Sequence, residues 1–142
     1  MQNITRWSLA MIMFTVELAA APACNKPGAE QPSVGSKGTA TTITAEARKE
    51  AEEIFSTRCM TCHGATGKGD GPASAGLTPK PRNFQDAAWQ QSVSDEHIEK
   101  IIQYGGAAVG KSPAMPPNPD LSSKPQVVAG LRRHVRSLAN QK

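Results

Sequence analysis

Large apolar side chains are scarce in this chain. Residues 43–142 contain 4 Leu, 5 Ile, 5 Val and 2 Phe, below the roughly 20% at which polypeptide alone struggles to fill a core. Aromatic residues account for only 4% of the 142 residues. Disorder does not follow, because the net charge is only +4 and amphipathic segments are present, so apolar mass has to come from something besides polypeptide. No run of five or more basic residues occurs, and acidic and basic residues are interspersed, which argues against a nucleic-acid partner despite a pI near 9.2. The cysteines, Cys24, Cys59 and Cys62, are odd in number and cannot form a fully paired disulfide framework. Nothing reads as a strand, and no apolar run comfortably matches a bilayer. The length suits one domain of ordinary size.

What is present begins with an export pattern. Met1–Arg6 carries one positive charge, Trp7–Val16 is largely apolar, and Ala21-Pro22-Ala23 has the small-x-small form a signal peptidase requires. Residues 1–23 are therefore expected to be a signal peptide, and Glu17, which interrupts the apolar run, speaks against a retained anchor. Cys24 follows directly, at the position where a bacterial lipoprotein carries its diacylglycerol. Ala21 and Pro22 depart from the Leu and small residue usual before such a cysteine, so lipidation and soluble release both stay open. Residues 24–42, rich in Gly, Pro, Ser and Thr with Val34 as the single large apolar residue, read as a flexible linker reaching on the order of 25 Å. The expected location is the periplasm, with membrane contact only through a lipid at Cys24.

Residues 43–142 then carry three helical segments and two long loops. From Thr44, an N-cap with Glu46 in the first turn, Ala47, Ala51, Ile54 and Phe55 follow helical spacing, which predicts a helix ending just before Cys59. A second helix is expected from Ser94, with Asp95 and Glu96 in its first turn, Val93 and Ile98 as a staple, Ile101 and Ile102 on its face, and Gly105 as its stop. A third is expected after Ser123 as N-cap, with Pro125 and Gln126 in the first turn. Its buried stripe is Val128, Leu131, Val135 and Leu138, and Arg132, Arg133 and Arg136 read as its solvated face. The stretch Gly64–Phe84 holds five Gly and three Pro, and Gly105–Pro119 holds three Gly and four Pro. Both are too long for mere connectors and imply something to surround.

The chemistry concentrates at Cys59-Met60-Thr61-Cys62-His63. A C-x-x-C-H run attaches haem c, because two cysteines at this spacing reach two vinyl groups and the adjacent histidine is carried under the iron. A thioredoxin-like dithiol would need a preceding strand and a βαβ setting. Zinc would need two further ligands from Cys24, His97 and His134, none of which sits in a second paired motif.

With Cys59-Met60-Thr61-Cys62-His63-Gly64, Gly67-Lys68-Gly69-Asp70-Gly71-Pro72, Pro79-Lys80-Pro81-Arg82-Asn83-Phe84 and Met115-Pro116 in this order, the chain resembles the class I c-type cytochromes, the small bacterial monohaem kind, over about residues 44–138. The resemblance implies an all-α cytochrome c-like fold in which first and last helices cross and loops wrap one covalently bound haem. It also implies one-electron transfer and not catalysis, with redox proteins as donor and acceptor. For the sixth ligand, Met1, Met11 and Met13 would leave with the signal peptide and Met60 lies between the haem-bearing cysteines, so Met115 is the methionine free to approach the iron opposite His63. The alternative is an open sixth position, which would make the protein a haem enzyme or gas sensor. His97 and His134 read as surface or packing residues.

In the family, the proximal histidine donates its other ring N–H to the carbonyl of a proline after glycine, which Gly71-Pro72 matches, although Pro79 and Pro81 share the loop. Arg82, Asn83 and Trp89 are candidates for hydrogen bonds to the propionates. Phe55, Leu77, Phe84, Ile101 and Tyr104 are expected to pack on the haem. Lys68 and Lys111 flank the two haem loops and give a mild bias toward an acidic partner.

The shortage of core makes a first prediction. The double variant Cys59→Ala, Cys62→Ala should be largely unfolded, because the haem is a large part of what the domain buries. Far-ultraviolet circular dichroism checks this, and native helix content without haem would contradict it.

Overall fold

Thr44 opens the first helix as its sequence suggests: the residue is extended (φ −70°, ψ 165°) and its side chain accepts a hydrogen bond from the Ala47 N–H, satisfying one of the amides a helix start leaves unpaired. The computed structural model describes residues 42–140, so the expected signal peptide, the lipid site at Cys24 and all but the end of the linker lie outside the described residues. Helix α1 (Ala45–Ile54) buries Ala47, Ala51 and Ile54. The chain does not leave the helix before Cys59. It continues through a π-helical turn, Phe55–Cys59, into α2 (Met60–His63), and stops at Gly64, which has φ 77°. Periodicity failed to show this for a physical reason. The π turn, closed by the Met60 N–H on the Phe55 carbonyl, adds a residue to one turn and breaks the 3.6-residue repeat, whereas the true stop is a glycine free to take a positive φ.

A helix without a sequence signal follows. Helix α3 (Ala87–Ser92) is started by Asp86, whose carboxylate accepts from the Ala88 and Trp89 amides. Helix α4 (Asp95–Tyr104) has Ser94 as its cap, accepting from the His97 N–H, buries Ile98 and Ile102, and ends at Gly105 with φ 77°. Helix α5 (Pro125–Ser137) is capped by Lys124 and not by Ser123, with no side-chain hydrogen bond at the cap. A 3-10 turn at Pro119–Leu121 consumes the approach, since the Lys124 N–H is bound to the Leu121 carbonyl. Gln126 instead accepts from the Thr44 N–H at 3.4 Å, which joins the starts of α1 and α5. No strand occurs among the described residues.

Helices α1 and α5 meet at Gly130, where a Cβ would stand 2.9 Å from that of Ala51; the missing side chain sets how closely the two axes approach. The stripe on α5 is buried as expected, with Val128, Leu131, Val135 and Leu138 at most 6% exposed, and Val127 joins it. Arg133 is exposed as expected, but Arg132 and Arg136 are not simply solvated. Arg132 pairs with Asp95 and Glu99 of α4, while Arg136 pairs with Asp95 at 2.8 Å and donates to the carbonyls of Gln90 and Val93. Asp95, which favours the start of α4, thus also clamps α5, and Arg136 holds the joint between α3 and α4.

His134 fills the other side of α5. Its ring lies 4.2 Å from that of Phe55, tilted by 48°, and its Nε2 is buried without a hydrogen-bond partner among the described residues. Burial lowers its pKa, opposed by the Glu52 carboxylate. As pH falls below the ordinary histidine value of about 6.5, the unfolded chain takes up a proton that the folded chain resists, so stability is lost on acidification from there downward. His134→Gln should flatten that loss. Denaturation midpoints of the haem-loaded protein at about pH 7 and pH 5 measure it, with the wild type falling further than the variant.

Candidate functional site

The motif residues are brought to one helical segment. Cys59 ends the π turn, Cys62 and His63 lie on α2, both thiols are free and half-buried, and His63 is 9% exposed. A helix ending here would leave its last carbonyls unpaired. The glycine-rich loop satisfies them by folding back: the Gly69 N–H donates to His63 O at 2.8 Å and the Gly71 N–H to Cys62 O at 3.1 Å. Gly71 lies against the carbonyls of Met60 and Thr61 so closely that no Cβ would fit.

The same loop arranges what faces His63. Its Nδ1 is 3.4 Å from the carbonyl of Arg82, so the expected acceptor, the carbonyl of Pro72, gives way to Arg82. The reason is tertiary. Gly71 is held on the motif backbone and Pro72 starts a 3-10 turn there, whereas Gly69, at φ 79°, lies against the Pro81 carbonyl, and Phe84 N–H donates to Gly67 O at 2.7 Å. The Pro81–Phe84 segment is thereby laid along the imidazole. Phe84 stacks on the His63 ring at 4.5 Å and 16° and on Trp89 at 5.5 Å. Arg82 caps the stack, 5.9 Å above Trp89, and pairs with Asp86 at 3.7 Å. Asn83 uses its side-chain oxygen locally, accepting from the Gln85 N–H at 2.9 Å.

Electrostatics suit a neutral donor set. Burial lowers the pKa of His63, with the Arg82 carbonyl opposing, so the imidazole is neutral at pH 7 and a ring nitrogen lone pair is available. Burial pushes the Cys59 thiol up to about 11, with Arg58 lowering it and Cys62 raising it further. Both sulfur and imidazole therefore enter the site uncharged.

Met115 is half-buried and fastened to the end of α4. Its carbonyl accepts from the Gly106 N–H at 3.0 Å, and the Asn118 N–H donates to Gln103 O at 2.9 Å. The Asn118 side chain donates to Ile102 O at 2.8 Å, pairing another orphan carbonyl. Among the residues expected to pack on haem, Leu77 and Ile101 are half-buried and Tyr104 is 55% exposed, while Phe55 is buried against His134. Two thiols, a neutral imidazole whose Nδ1 is spent on a carbonyl, and incompletely covered apolar side chains are a donor set that fits haem c. Among the described residues no group of three or more His, Cys, Asp or Glu could hold a metal ion; Cys24, one of the further ligands zinc would need, lies outside them.

Sequence reasoning missed the Arg82 carbonyl, because a backbone acceptor leaves no mark on residue type. It also missed the ion pair of Arg58 with Asp120, 2.9 Å long, which joins residues 62 positions apart. A family model described as Cytochrome c matches residues 49–139, from within α1 to beyond α5. No curated protein was found to match the chain.

Gly69 provides the test of how His63 is held. Gly69→Ala places a methyl group against the Pro81 carbonyl at a φ that disfavours it, and should push the Arg82 carbonyl away from Nδ1. The denaturation midpoint of the haem-loaded protein should drop by the equivalent of about 2 kcal/mol, and the His63 ring N–H, followed by NMR, should exchange faster with solvent. Unchanged exchange would show that this contact does not orient the ring.

Proposed function

The chain belongs to the cytochrome c family, whose domain suggests covalently bound haem c and haem-based electron transfer, and on that premise we propose that it is a one-electron carrier with a single haem bound through Cys59 and Cys62 and ligated axially by His63 and Met115. The observation that carries this reading is the neutral His63 imidazole, its Nδ1 turned to the Arg82 carbonyl, beside two free thiols on one helical segment.

When bound, haem c supplies an iron centre that takes up and gives back one electron. The polypeptide's part is positional. His63 offers Nε2 while its Nδ1–H donates to Arg82 O, which fixes the ring and raises its basicity. The Met115 sulfur is a soft donor that favours the ferrous state, suited to a carrier with a raised potential. Leu77, Ile101 and Tyr104 exclude water. Backbone hydrogen bonds on both loops keep ligand positions from shifting when the charge changes.

The wider setting is part of the same proposal. Residues 1–23 direct export, Cys24 carries a lipid, and residues 24–42 let the domain move between redox partner proteins at a periplasmic membrane surface; the small-x-small pattern supports the export, and the odd cysteine directly after it supports the lipid.

Met115→Ala tests the core of the reading. The haem should stay attached and the protein red, because the thioether bonds and His63 do not involve the Met115 loop. The weak red-edge band of sulfur–iron ligation should vanish, the reduction potential should fall, and CO should bind. Met115→His should keep six-coordination, also at a lower potential. A Met115→Ala protein with wild-type spectrum and potential would contradict Met115 as ligand, and a wild type that binds CO readily would favour an enzyme or sensor.

A further inference from the structure

His63 and Met115 belong to different parts of the fold. His63 is carried by the helical run from α1 to α2, whereas Met115 is tied by backbone hydrogen bonds to the end of α4. Among the described residues, Arg58 makes every side-chain hydrogen bond and ion pair between residues 45–63 and residues 105–121. One of its guanidinium nitrogens lies 3.0 and 2.9 Å from the two Asp120 oxygens and donates to the Asn118 side-chain oxygen at 3.4 Å. Asn118 is the residue whose amide and side chain hold the Met115 segment on the Gln103 and Ile102 carbonyls. Arg58 itself immediately precedes Cys59.

We infer that Arg58 and Asp120 are positioning residues: their ion pair straps the Met115 segment to the helix that carries His63 and sets how often the methionine leaves the iron. The inference rests on His63/Met115 ligation. Both side chains are 47% exposed, so the strap is screened by salt. An exposed pair contributes little to overall stability. Its effect instead falls on a local equilibrium, that between a closed and an open Met115 segment, where a small bias is read directly as ligand access.

The test uses imidazole as a probe that competes for the sixth position in the haem-loaded protein. Asp120→Arg and Arg58→Glu should each raise apparent imidazole affinity about fivefold at low salt, with the gain shrinking as salt is added, while denaturation midpoints move little. Arg58→Lys should stay near wild type. The charge-swapped double variant, Arg58→Glu with Asp120→Arg, should return to within about twofold of wild type. Asp120→Arg lies away from the attachment motif and serves if Arg58→Glu hinders haem loading. Wild-type imidazole affinity in both single variants, or a swap that fails to restore, overturns the strap. Met115→Ala in the same assay separates the two claims. If it loses the red-edge band while the ion-pair variants behave as wild type, ligation stands and the strap falls; if it keeps the band, ligation and strap fall together.

Discussion

The contact between His63 Nδ1 and the Arg82 carbonyl is where most of the structure's backbone choices converge. A histidine serves as an axial ligand only if it is neutral and its ring is held: burial keeps His63 neutral, and the fixed carbonyl, although it opposes that shift, holds the ring. The acceptor is fixed because the Phe84 N–H is bound to Gly67 O and because Gly69 comes up against Pro81. Those glycines are placed because their loop pairs the open carbonyls at the end of α2. Phe84 adds a second constraint, since its ring stacks on the imidazole and is itself backed by Trp89. The loop between α2 and α3 is thus a mould for one side chain.

The scarcity of large apolar residues explains how the rest is held. The aliphatic core is confined mainly to the junction of α1, α4 and α5, where Val128, Leu131, Leu121 and Leu138 are at most 2% exposed. Around it, polar contacts take over work that side-chain volume does in richer sequences. Arg132 and Arg136, on the outer edge of α5, are about a quarter exposed; both bind carboxylates and Arg136 also binds backbone carbonyls, so they are less screened and more constrained than ordinary surface pairs. Glycine contributes as well: at Gly130 it lets α1 and α5 come close enough for small residues to fill the space between them.

How much of this was legible in the sequence depended on the kind of signal. Thr44, Ser94 and Gly105 mark helix ends through local hydrogen bonds and backbone freedom, and the stripe Val128, Leu131, Val135 and Leu138 marks a buried face by its spacing, so α1, α4 and α5 could be read. Cys59, Cys62 and His63 could be read because the chemistry demands those residue types at that spacing. Helix α3 could not, since its six residues offer a single large apolar side chain and no period. The π turn at Phe55–Cys59 could not, because it cancels the repeat on which reading depends. Ser123 looks like a cap, yet the 3-10 turn before it moves the helix start by one residue. Arg132 and Arg136 looked solvated because a helical wheel does not show which neighbour approaches the polar face. Pro72 lost its assigned role to Arg82 because the choice among backbone carbonyls is made by folding of the loop.

The two candidate ligands differ in how they are held, and the difference bears on function. His63 sits in a helix, with its ring fixed by a carbonyl and an aromatic stack. Met115 sits in a proline-rich segment whose ties are backbone hydrogen bonds to the last turn of α4, together with the exposed side-chain bridge from Asp120 to Arg58. Regions with few buried contacts open at lower free energy than the core, so under the proposed ligation the Met115 side is the weaker of the two. A carrier gains from such an asymmetry only if the weak side is stiff enough that both oxidation states keep the same ligands. That stiffness comes from pairing the orphan carbonyls at the end of α4 with Asn118 and from Gly106 binding the Met115 carbonyl. Helix α4, held against α5 by Asp95 and Glu99, is therefore the element through which the core reaches the Met115 segment.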